Sequence, residues 1–231
     1  MSINISGTNV TVVVADGQDI SKIMADGTVV WEKPGGGYVR DNKRFISFAG
    51  GYYVAGLMGM FVTEKDEYVT DVRHTGMAQA AYSSGTNRLT LGTAQGANQH
   101  NVAVAANKTT FFDCPVPGNR HIIEKRNTAD GKSFEMLVNG EVKATVEYNE
   151  TPAPTPSDFI LGDKTYSVSG RIYGFKVKRA GVLVMDLYPV YKDEIVDGIE
   201  VPSNGVYDFV SKRFLNVTGP AVGNLVIGED A

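Results

Sequence analysis

Short stretches in which apolar and polar residues alternate dominate this chain. The clearest example covers residues 171–190, where a turn at residues 179–181 separates two alternating halves. A period of two puts every second side chain on the same face of a strand. The pattern therefore predicts an antiparallel strand pair that covers a core with its apolar face. The side chains expected to be buried in this pair and in the hairpin after it are Tyr173, Phe175, Leu183, Met185 and Phe214.

Similar segments recur from Tyr38 onward at the spacing of a β-sandwich. Asn139-Gly140 predicts a tight hairpin, because both residues of such a turn need a positive φ. The Pro-rich stretch 151–158 predicts an extended connection, and only residues 76–84 could form a turn or two of helix. The expected fold is all-β: a two-sheet antiparallel jelly-roll sandwich of about ten to fourteen strands, preceded by a small three-stranded N-terminal β module.

The N-terminal module is expected to be a separate piece. Its strands are predicted near residues 8–15, 19–24 and 28–32, with Asp-Gly turns between them. The expected domains are an attachment or oligomerisation meander (1–33), a Gly-rich linker (34–37) and the jelly roll (38–231). The meander carries more large apolar side chains than a small sheet exposed on both faces would. An interface with another subunit accounts for them, and the residues expected there are Val12, Val14, Ile23 and Trp31.

Composition and charge exclude several classes of protein. The formal net charge is −4 and the basic residues are scattered, which argues against binding to nucleic acid. The first residues show neither a basic region nor an apolar run, so no signal peptide is expected. No stretch is apolar enough for a membrane span. Cys114 is the only cysteine, so no intrachain disulfide can form, and it is interpreted as a small buried hydrophobe.

Patterns typical of catalysis or metal binding are absent from the sequence. Glycosidases need a pair of carboxylates across the scissile bond, yet no strand carries alternating carboxylates. The acidic stretch 192–200 is spaced irregularly and is expected to be a solvated loop. The three histidines, His74, His100 and His121, lack the short spacing typical of zinc ligands and are expected at the surface or at strand edges. The sequence therefore predicts no enzyme activity, no metal site and no cofactor.

The C-terminal third carries a recognisable signature. The segments "SGRIYGFKVKRAGVLVMDLYPV" and "NGVYDFVSKRFLNVTG" resemble the C-terminal part of concanavalin A-like (laminin-G-like) jelly rolls of bacteriophage structural and tail proteins. The matching positions are Gly170, Arg171, Ile172, Tyr173, Leu183, Asp186, Pro189, Gly205, Tyr207, Asp208, Phe214 and Asn216. The stretch "ISFAGGYYVAG" is similar to the first strand of that domain, and "ISKIMADGTVVWEK" is similar to modules that open many phage tail proteins.

This resemblance implies a non-enzymatic structural protein of the virion, in a tail or head appendage. The lectin-like domain would bind a host-surface glycan or neighbouring virion subunits, and the protein would be a homo-oligomer. Calcium occurs in relatives of this fold, so it is expected only by analogy. The alternatives are a prophage-derived bacterial carbohydrate-binding module and, less well supported, a glycoside hydrolase.

Residues 83–101 are polar, rich in Gly and Asn, and follow a tyrosine. Planar hydrogen-bonding groups beside an aromatic face suit a sugar, although an ordinary exposed loop or a subunit contact has the same composition. The predicted ligand-binding residues are Tyr82, Arg88, Asn98, Gln99 and His100. Asp208, in contrast, is predicted to be structural. Its oxygens are expected to accept backbone N–H groups around the bend at Ser211-Lys212.

Overall fold

A computed structural model describes much of the chain. The side chains described are those of residues 43–47, 60–76, 81–84, 87–92, 96, 98–104, 109–148, 159–161, 170–215 and 227–230. The backbone is described in addition at residues 2–5, 8–11, 22–25, 28–32, 48, 53–55, 79–80, 108, 162, 217–218 and 225–226. Within these ranges there is no helix, and hence no helix long and apolar enough to cross a membrane.

The strands follow one another closely along the chain. In order they are β1 (Ser2–Ile5), β2 (Thr8–Thr11), β3 (Lys22–Ala25), β4 (Thr28–Glu32), β5 (Arg44–Phe48), β6 (Tyr53–Ala55), β7 (Glu67–Arg73), β8 (Gln79–Ser84), β9 (Asn87–Leu91), β10 (Gln99–Val104), β11 (Lys108–Asp113), β12 (Arg120–Asn127), β13 (Ser133–Val138), β14 (Glu141–Glu147), β15 (Ile160–Gly162), β16 (Arg171–Arg179), β17 (Val182–Val190), β18 (Ile195–Val196), β19 (Ile199–Glu200), β20 (Gly205–Asp208), β21 (Arg213–Leu215), β22 (Val217–Thr218) and β23 (Leu225–Glu229).

Two compact units share these strands. The first contains residues 1–40 and 192–202, and the second contains residues 41–191 and 203–231. In the first unit, β1 to β4 form an antiparallel sheet of four strands rather than the expected three, because Ser2–Ile5 pairs with Thr8–Thr11. The same unit holds the short hairpin of β18 and β19.

The second unit is a sandwich of two antiparallel sheets. One sheet has seven strands in the order β11-β10-β9-β8-β15-β6-β22. The other has ten strands in the order β14-β13-β12-β7-β16-β17-β20-β21, with β5 paired to β16 and β23 paired to β5. Neighbouring strands in both sheets run antiparallel, so the predicted all-β jelly-roll sandwich is confirmed. Its seven and ten described strands exceed the expected ten to fourteen.

The core lies between the two sheets and is centred on aromatic rings. Tyr68 and Phe175 from the ten-stranded sheet contact Tyr82 from the seven-stranded sheet, with ring centroids 5.2 and 5.1 Å from that of Tyr82. Phe159 stacks on Tyr82 at 6.0 Å. Aromatic pairs at such distances add to the stabilisation from apolar burial. The interior positions therefore follow the period of two that the sequence shows.

The turns between strands use the residues that their backbone demands. Asn139 and Gly140 join β13 to β14 with φ values of 51° and 82°, which confirms the predicted hairpin. Ala180 and Gly181 join β16 to β17 in the same way, with φ values of 48° and 79°. Two consecutive residues of positive φ give the tight turn whose twist matches that of antiparallel strands.

A β-bulge changes one of the buried positions predicted from the alternation. Val177 pairs with Met185 and Lys178 pairs with Leu183, so Val184 is an extra residue on its strand. Val184 packs against the core, whereas Leu183 is 38% exposed, and its predicted burial is wrong. Tyr173, Phe175 and Met185 are buried as predicted. Phe214 is only half-buried.

The final hairpin, β20 and β21, is organised by one carboxylate. Asp208 Oδ1 accepts hydrogen bonds from the backbone N–H groups of Asp186 (2.8 Å) and Val210 (3.2 Å). Its Oδ2 accepts from the N–H (3.2 Å) and the hydroxyl (2.6 Å) of Ser211. Asp208 is 1% exposed, and Lys212 has a φ of 56°. The predicted structural role of Asp208 is confirmed, because its carboxylate satisfies the donors of both the bend and the adjacent strand.

Candidate functional site

Strands β9, β10 and β11 form one end of the seven-stranded sheet and present a mixed outer face. Along β10, the side chains of His100, Val102 and Val104 are buried, and those between them point to the other side of the sheet. Asn101 is directly opposite both Phe111 on β11 and Thr90 on β9. We call the outer residues of these strands the β9–β11 face. Its members are Arg88, Thr90, Gln99, Asn101, Phe111 and Asp113.

The β9–β11 face combines an exposed ring with planar polar groups. Phe111 is 40% exposed beside the amide of Asn101. Arg88 is two residues from Thr90 on the same strand, so its guanidinium belongs to the same face. Gln99 Nε2 donates to Asp113 Oδ1 at 3.4 Å, near the limit for a hydrogen bond. An aromatic ring with amide and guanidinium groups nearby can pack against a sugar ring and hydrogen-bond its hydroxyls.

Two oxygens in this row need a hydrogen-bond donor. Thr90 Oγ1 and Asn101 Oδ1 are buried and have no partner among the residues that the structure describes. Thr90 as a whole is only 6% exposed. A buried polar atom without a partner costs about 1–3 kcal/mol.

The structure divides the predicted ligand residues into two groups. Arg88 and Gln99 lie on the β9–β11 face, and Asn98 is exposed in the turn before β10. Tyr82 and His100 are 1% and 0% exposed, so neither can contact a ligand at the surface. Tyr82 faces inward because a bulge between Ala80 and Tyr82 places it opposite Leu89 in the core.

Sequence reasoning missed three residues of the β9–β11 face. Thr90, Asn101 and Phe111 come together through strand register, which the sequence does not specify. The available signal was the alternation in β10 and β11, which assigns Asn101 and Phe111 to the outer face once Val102 and Phe112 are assigned to the core.

The predicted interface residues of the first unit are only partly described. Val12 and Val14 lie outside the described residues. Ile23 and Trp31 are described by their backbone alone, which pairs them directly across β3 and β4. The predicted interface therefore stays a prediction.

A second surface feature lies on the outer face of the ten-stranded sheet. A groove of about 420 Å³ is lined by Val69 and Leu183, each 38% exposed, and by charged side chains. Those charged residues include Glu67, Glu124, Lys176 and Lys178. Tyr68 also lines the groove, but it is 1% exposed and its ring packs in the core. The described lining therefore presents no aromatic platform for a sugar ring.

The three histidines are buried together, so their expected position at the surface or at strand edges is wrong. His74 and His100 are 0% exposed and His121 is 2% exposed. Their ring centroids are 4.8 to 5.5 Å apart. His74 and His121 come from the ten-stranded sheet and His100 from the seven-stranded sheet, so only the packing of the two sheets brings them together.

The acidic stretch 192–200 forms a hairpin rather than a loop. The structure leaves Asp193, Asp197 and Glu200 exposed on β18, β19 and their turns. Asp197 and Gly198 have φ values of 50° and 80°, which suits the tight turn between the two strands. The predicted exposure is confirmed for these three carboxylates, whereas the fourth, Glu194, is half-buried.

Comparison with known proteins places this architecture among lectin-like folds. A protein from Bacteroides ovatus that is named as a candidate carbohydrate-binding protein matches 90% of this chain and 67% of its own, with a TM-score of 0.57 and 12% identity. A heptameric SAP-like pentraxin from Limulus polyphemus matches 83% of this chain and 97% of its own, with a TM-score of 0.53 and 12% identity. No protein-family model matches the chain, and no curated protein matches it in sequence. At such identity the likeness shows the fold alone.

Proposed function

We propose that this protein is a non-enzymatic carbohydrate-binding protein that binds a glycan on the β9–β11 face. The observation that carries the proposal is the pair formed by Phe111 and Asn101, in which an exposed ring adjoins a half-buried amide on the neighbouring strand. The similar solved structures include a candidate carbohydrate-binding protein and a pentraxin, which is consistent with this role.

Each side chain has a part in the proposed complex. The C–H face of a sugar ring packs against Phe111, and sugar hydroxyls form hydrogen bonds with the half-buried amide of Asn101. The guanidinium of Arg88 and the amide of Gln99 donate to ring and hydroxyl oxygens. Sites of this kind bind through a few well-placed polar groups and one apolar platform.

The number of carboxylates on the β9–β11 face favours glycan binding over glycoside hydrolysis. Asp113 is the single carboxylate on the described part of the β9–β11 face. Glycoside hydrolysis generally uses two carboxyl groups, about 5 Å apart in retaining enzymes and further apart in inverting ones. A face with one carboxylate can hold a glycan but lacks the second group that cleavage would use.

We further propose that the protein is part of a bacteriophage virion and displays this face to a host-surface glycan. The support is the sequence signature of phage jelly rolls in residues 170–219 and the similarity of the first residues to modules that open tail proteins. In this proposal the four-stranded N-terminal sheet attaches the protein to other virion subunits or to further copies of itself. A prophage-derived bacterial protein with the same glycan site is the alternative. Mass spectrometry of purified particles distinguishes the two, because the alternative predicts no copies in the particle.

Glycan binding can be tested on the full chain. An array of bacterial surface polysaccharides identifies the ligand, and titration calorimetry then measures its Kd. We expect Phe111→Ala and Asn101→Ala each to weaken binding about tenfold or more, which corresponds to about 1.4 kcal/mol. The matched control is Ile122→Ala, which removes a side chain that is 45% exposed on the other sheet. Loss of binding in a Leu183→Ala variant, with Phe111→Ala unaffected, would move the site to the groove and overturn the proposal. Failure to bind any glycan would overturn it as well.

A further inference from the structure

Four side chains with metal-ligand chemistry meet inside one end of the sandwich. His74 follows β7, His100 lies in β10, Cys114 follows β11 and His121 lies in β12. Ligand atoms of His74, His100 and Cys114 all lie within 4.8 Å of one another. His100 Nε2 is 2.8 Å from His121 Nε2. Imidazole and thiolate groups in such proximity, drawn from both sheets, are the donors that zinc and related ions prefer.

The hydrogen bonds of the cluster define which nitrogen carries each proton. The backbone N–H of Gly92 donates to His100 Nδ1 at 3.0 Å, so Nδ1 carries no proton. In a neutral ring the proton is then on Nε2, which donates to His121 Nε2. His121 in turn carries its proton on Nδ1 and donates to the carbonyl of Asn119 at 3.0 Å. This relay runs from His100 through His121 to a backbone oxygen.

The order of donors and acceptors in this relay is the one found where a histidine binds a metal. A ligating imidazole coordinates through one nitrogen and donates its other N–H to an acceptor, which fixes the tautomer and the ring orientation. His100 Nε2–H has an acceptor in His121, and the lone pair of Nδ1, which now accepts from the Gly92 N–H, is the one that a metal would take over. We propose that His74, His100 and Cys114 bind one divalent ion of the zinc class, with His121 as the positioning residue for His100.

The geometry requires only small adjustments. With Zn–N distances of about 2.05 Å and a Zn–S distance of about 2.3 Å, tetrahedral ligand atoms are about 3.3–3.6 Å apart. The three candidate atoms lie within 4.8 Å of one another, so closure by about an ångström brings them to that separation. A fourth, open coordination position would be filled by water or another small ligand.

The ion has a route from solvent. Cys114 is half-buried and lines a cavity of about 280 Å³ between the edges of the two sheets, together with Pro115, Val138 and Asn139. Burial raises the pKa of the Cys114 thiol to about 12, so the thiol is protonated at neutral pH. Coordination therefore breaks the S–H bond, forms the sulfur–metal bond and releases one proton to solvent. The metal also takes the lone pair of His100 Nδ1 in place of the Gly92 N–H.

Cobalt titration of the full chain, purified with a chelator and then freed of it, tests the proposal. Co²⁺ occupies zinc sites, and a cysteine ligand gives a thiolate-to-cobalt charge-transfer band in the near ultraviolet. We expect the band to saturate at one Co²⁺ per chain and to disappear when an equivalent of Zn²⁺ is added. The amide resonance of Gly92 should shift in the same titration.

Variants distinguish metal binding at the proposed site from adventitious metal binding elsewhere. Cys114→Ser should abolish the charge-transfer band and weaken Zn²⁺ binding by at least tenfold, whereas the control Glu200→Gln, at an exposed carboxylate outside the cluster, should leave both unchanged. A folded wild-type chain with no band and no calorimetric signal for Zn²⁺ would overturn the proposal. So would a band that Cys114→Ser leaves in place. The glycan measurements above do not depend on these outcomes.

Discussion

Strand β12 buries polar side chains near both of its ends, and the two ends do so by opposite means. Near its start, His121 shares a hydrogen bond with His100 and contacts the ring of His74. Near its end, Lys125 is 2% exposed and its ammonium group donates to the carbonyl oxygens of Glu64 and Asp66, each at 2.7 Å. A third donor reaches the hydroxyl of Tyr148 at 3.0 Å.

At the end of β12 that carries Lys125, which we call the lysine end, charged groups stabilise the structure. Burial lowers the pKa of Lys125 to about 7, and the nearby carboxylates of Asp66 and Glu67 oppose that shift. Asp66 also accepts from Arg179 Nε at 2.9 Å and Nη2 at 2.8 Å. This difference between the two ends of β12 determines how each end can respond to a ligand. The lysine end is already filled by a cation whose donors are all satisfied. At the histidine end, an incoming cation can take over the lone pair of His100 Nδ1 from the Gly92 N–H.

The largest expected effect is at the lysine end. Lys125→Met should lower the free energy of unfolding by about 3–5 kcal/mol, because it leaves the buried carbonyls of Glu64 and Asp66 and the hydroxyl of Tyr148 without their donor. Urea unfolding measures the loss. Lys176→Met is the control, since Lys176 is exposed on the same sheet and its replacement should change stability by about 0.5 kcal/mol or less. Equal effects for the two lysines would contradict the comparison.

The histidine end should respond to acid in the metal-free protein. Burial, with the neighbouring His121 and His74, lowers the pKa of His100 to about 2. The pKa of His100 in the unfolded chain is about 6.5. Below that pH, His100 is protonated in the unfolded chain but stays neutral in the folded one, so stability falls as the pH drops. From pH 7 to pH 5, His100 alone should account for a loss of about 2 kcal/mol. Urea unfolding at both pH values checks this, and unchanged stability would show that the rings are accessible to protons.

A smaller effect is expected at the tyrosine that completes the lysine end. The hydroxyl of Tyr148 accepts from Lys125 and donates to the side-chain oxygen of Asn127. Tyr148→Phe keeps the ring that packs against Phe134 and removes only these two hydrogen bonds. We expect a loss of about 1–2 kcal/mol in thermal or urea unfolding. A loss as large as that of Lys125→Met would mean that the hydroxyl, and not the ammonium group, dominates this end.

The smallest effect is expected at Cys114 without metal. The thiol is half-buried beside a cavity, so Cys114→Ala should change the unfolding free energy of the metal-free chain by less than about 1 kcal/mol. With saturating Zn²⁺ the wild type should gain stability and the variant should not, because a ligand that binds only the folded state stabilises it. An equal gain in both would remove the cysteine from the proposed site.

The sequence predicted well those features that depend on neighbouring residues. It predicted poorly which distant residues the fold brings together. The alternation of β16 and the Asn139-Gly140 turn depend on neighbours along the chain, and both are confirmed. Asp208 was also interpreted correctly, because its partners at Val210 and Ser211 are local. The exposure of Leu183 was missed because a bulge is a property of strand pairing that alternation does not encode.

The candidate sites show the same limit. Arg88 and Gln99 were identified from composition, but their neighbours Asn101 and Phe111 depend on the register of three strands. The histidine cluster depends in addition on how two sheets face each other. Residues 26 and 21 positions apart along the chain carry no periodic signal, although His74, His100 and His121 end within one interior cluster.

The hairpin of β18 and β19 makes the architecture an insertion rather than a simple succession of domains. The polypeptide leaves the sandwich unit after Tyr191 and re-enters it at Ser203, and the intervening residues belong to the N-terminal unit. A protease cut in the segment 34–37, which the sequence predicts to be a linker, would therefore produce two fragments that complement each other, since part of the first unit stays covalently within the second fragment. Removing residues 1–33 alone would leave the hairpin of β18 and β19 without the rest of its unit. To obtain the sandwich by itself, a short turn must also replace residues 192–202.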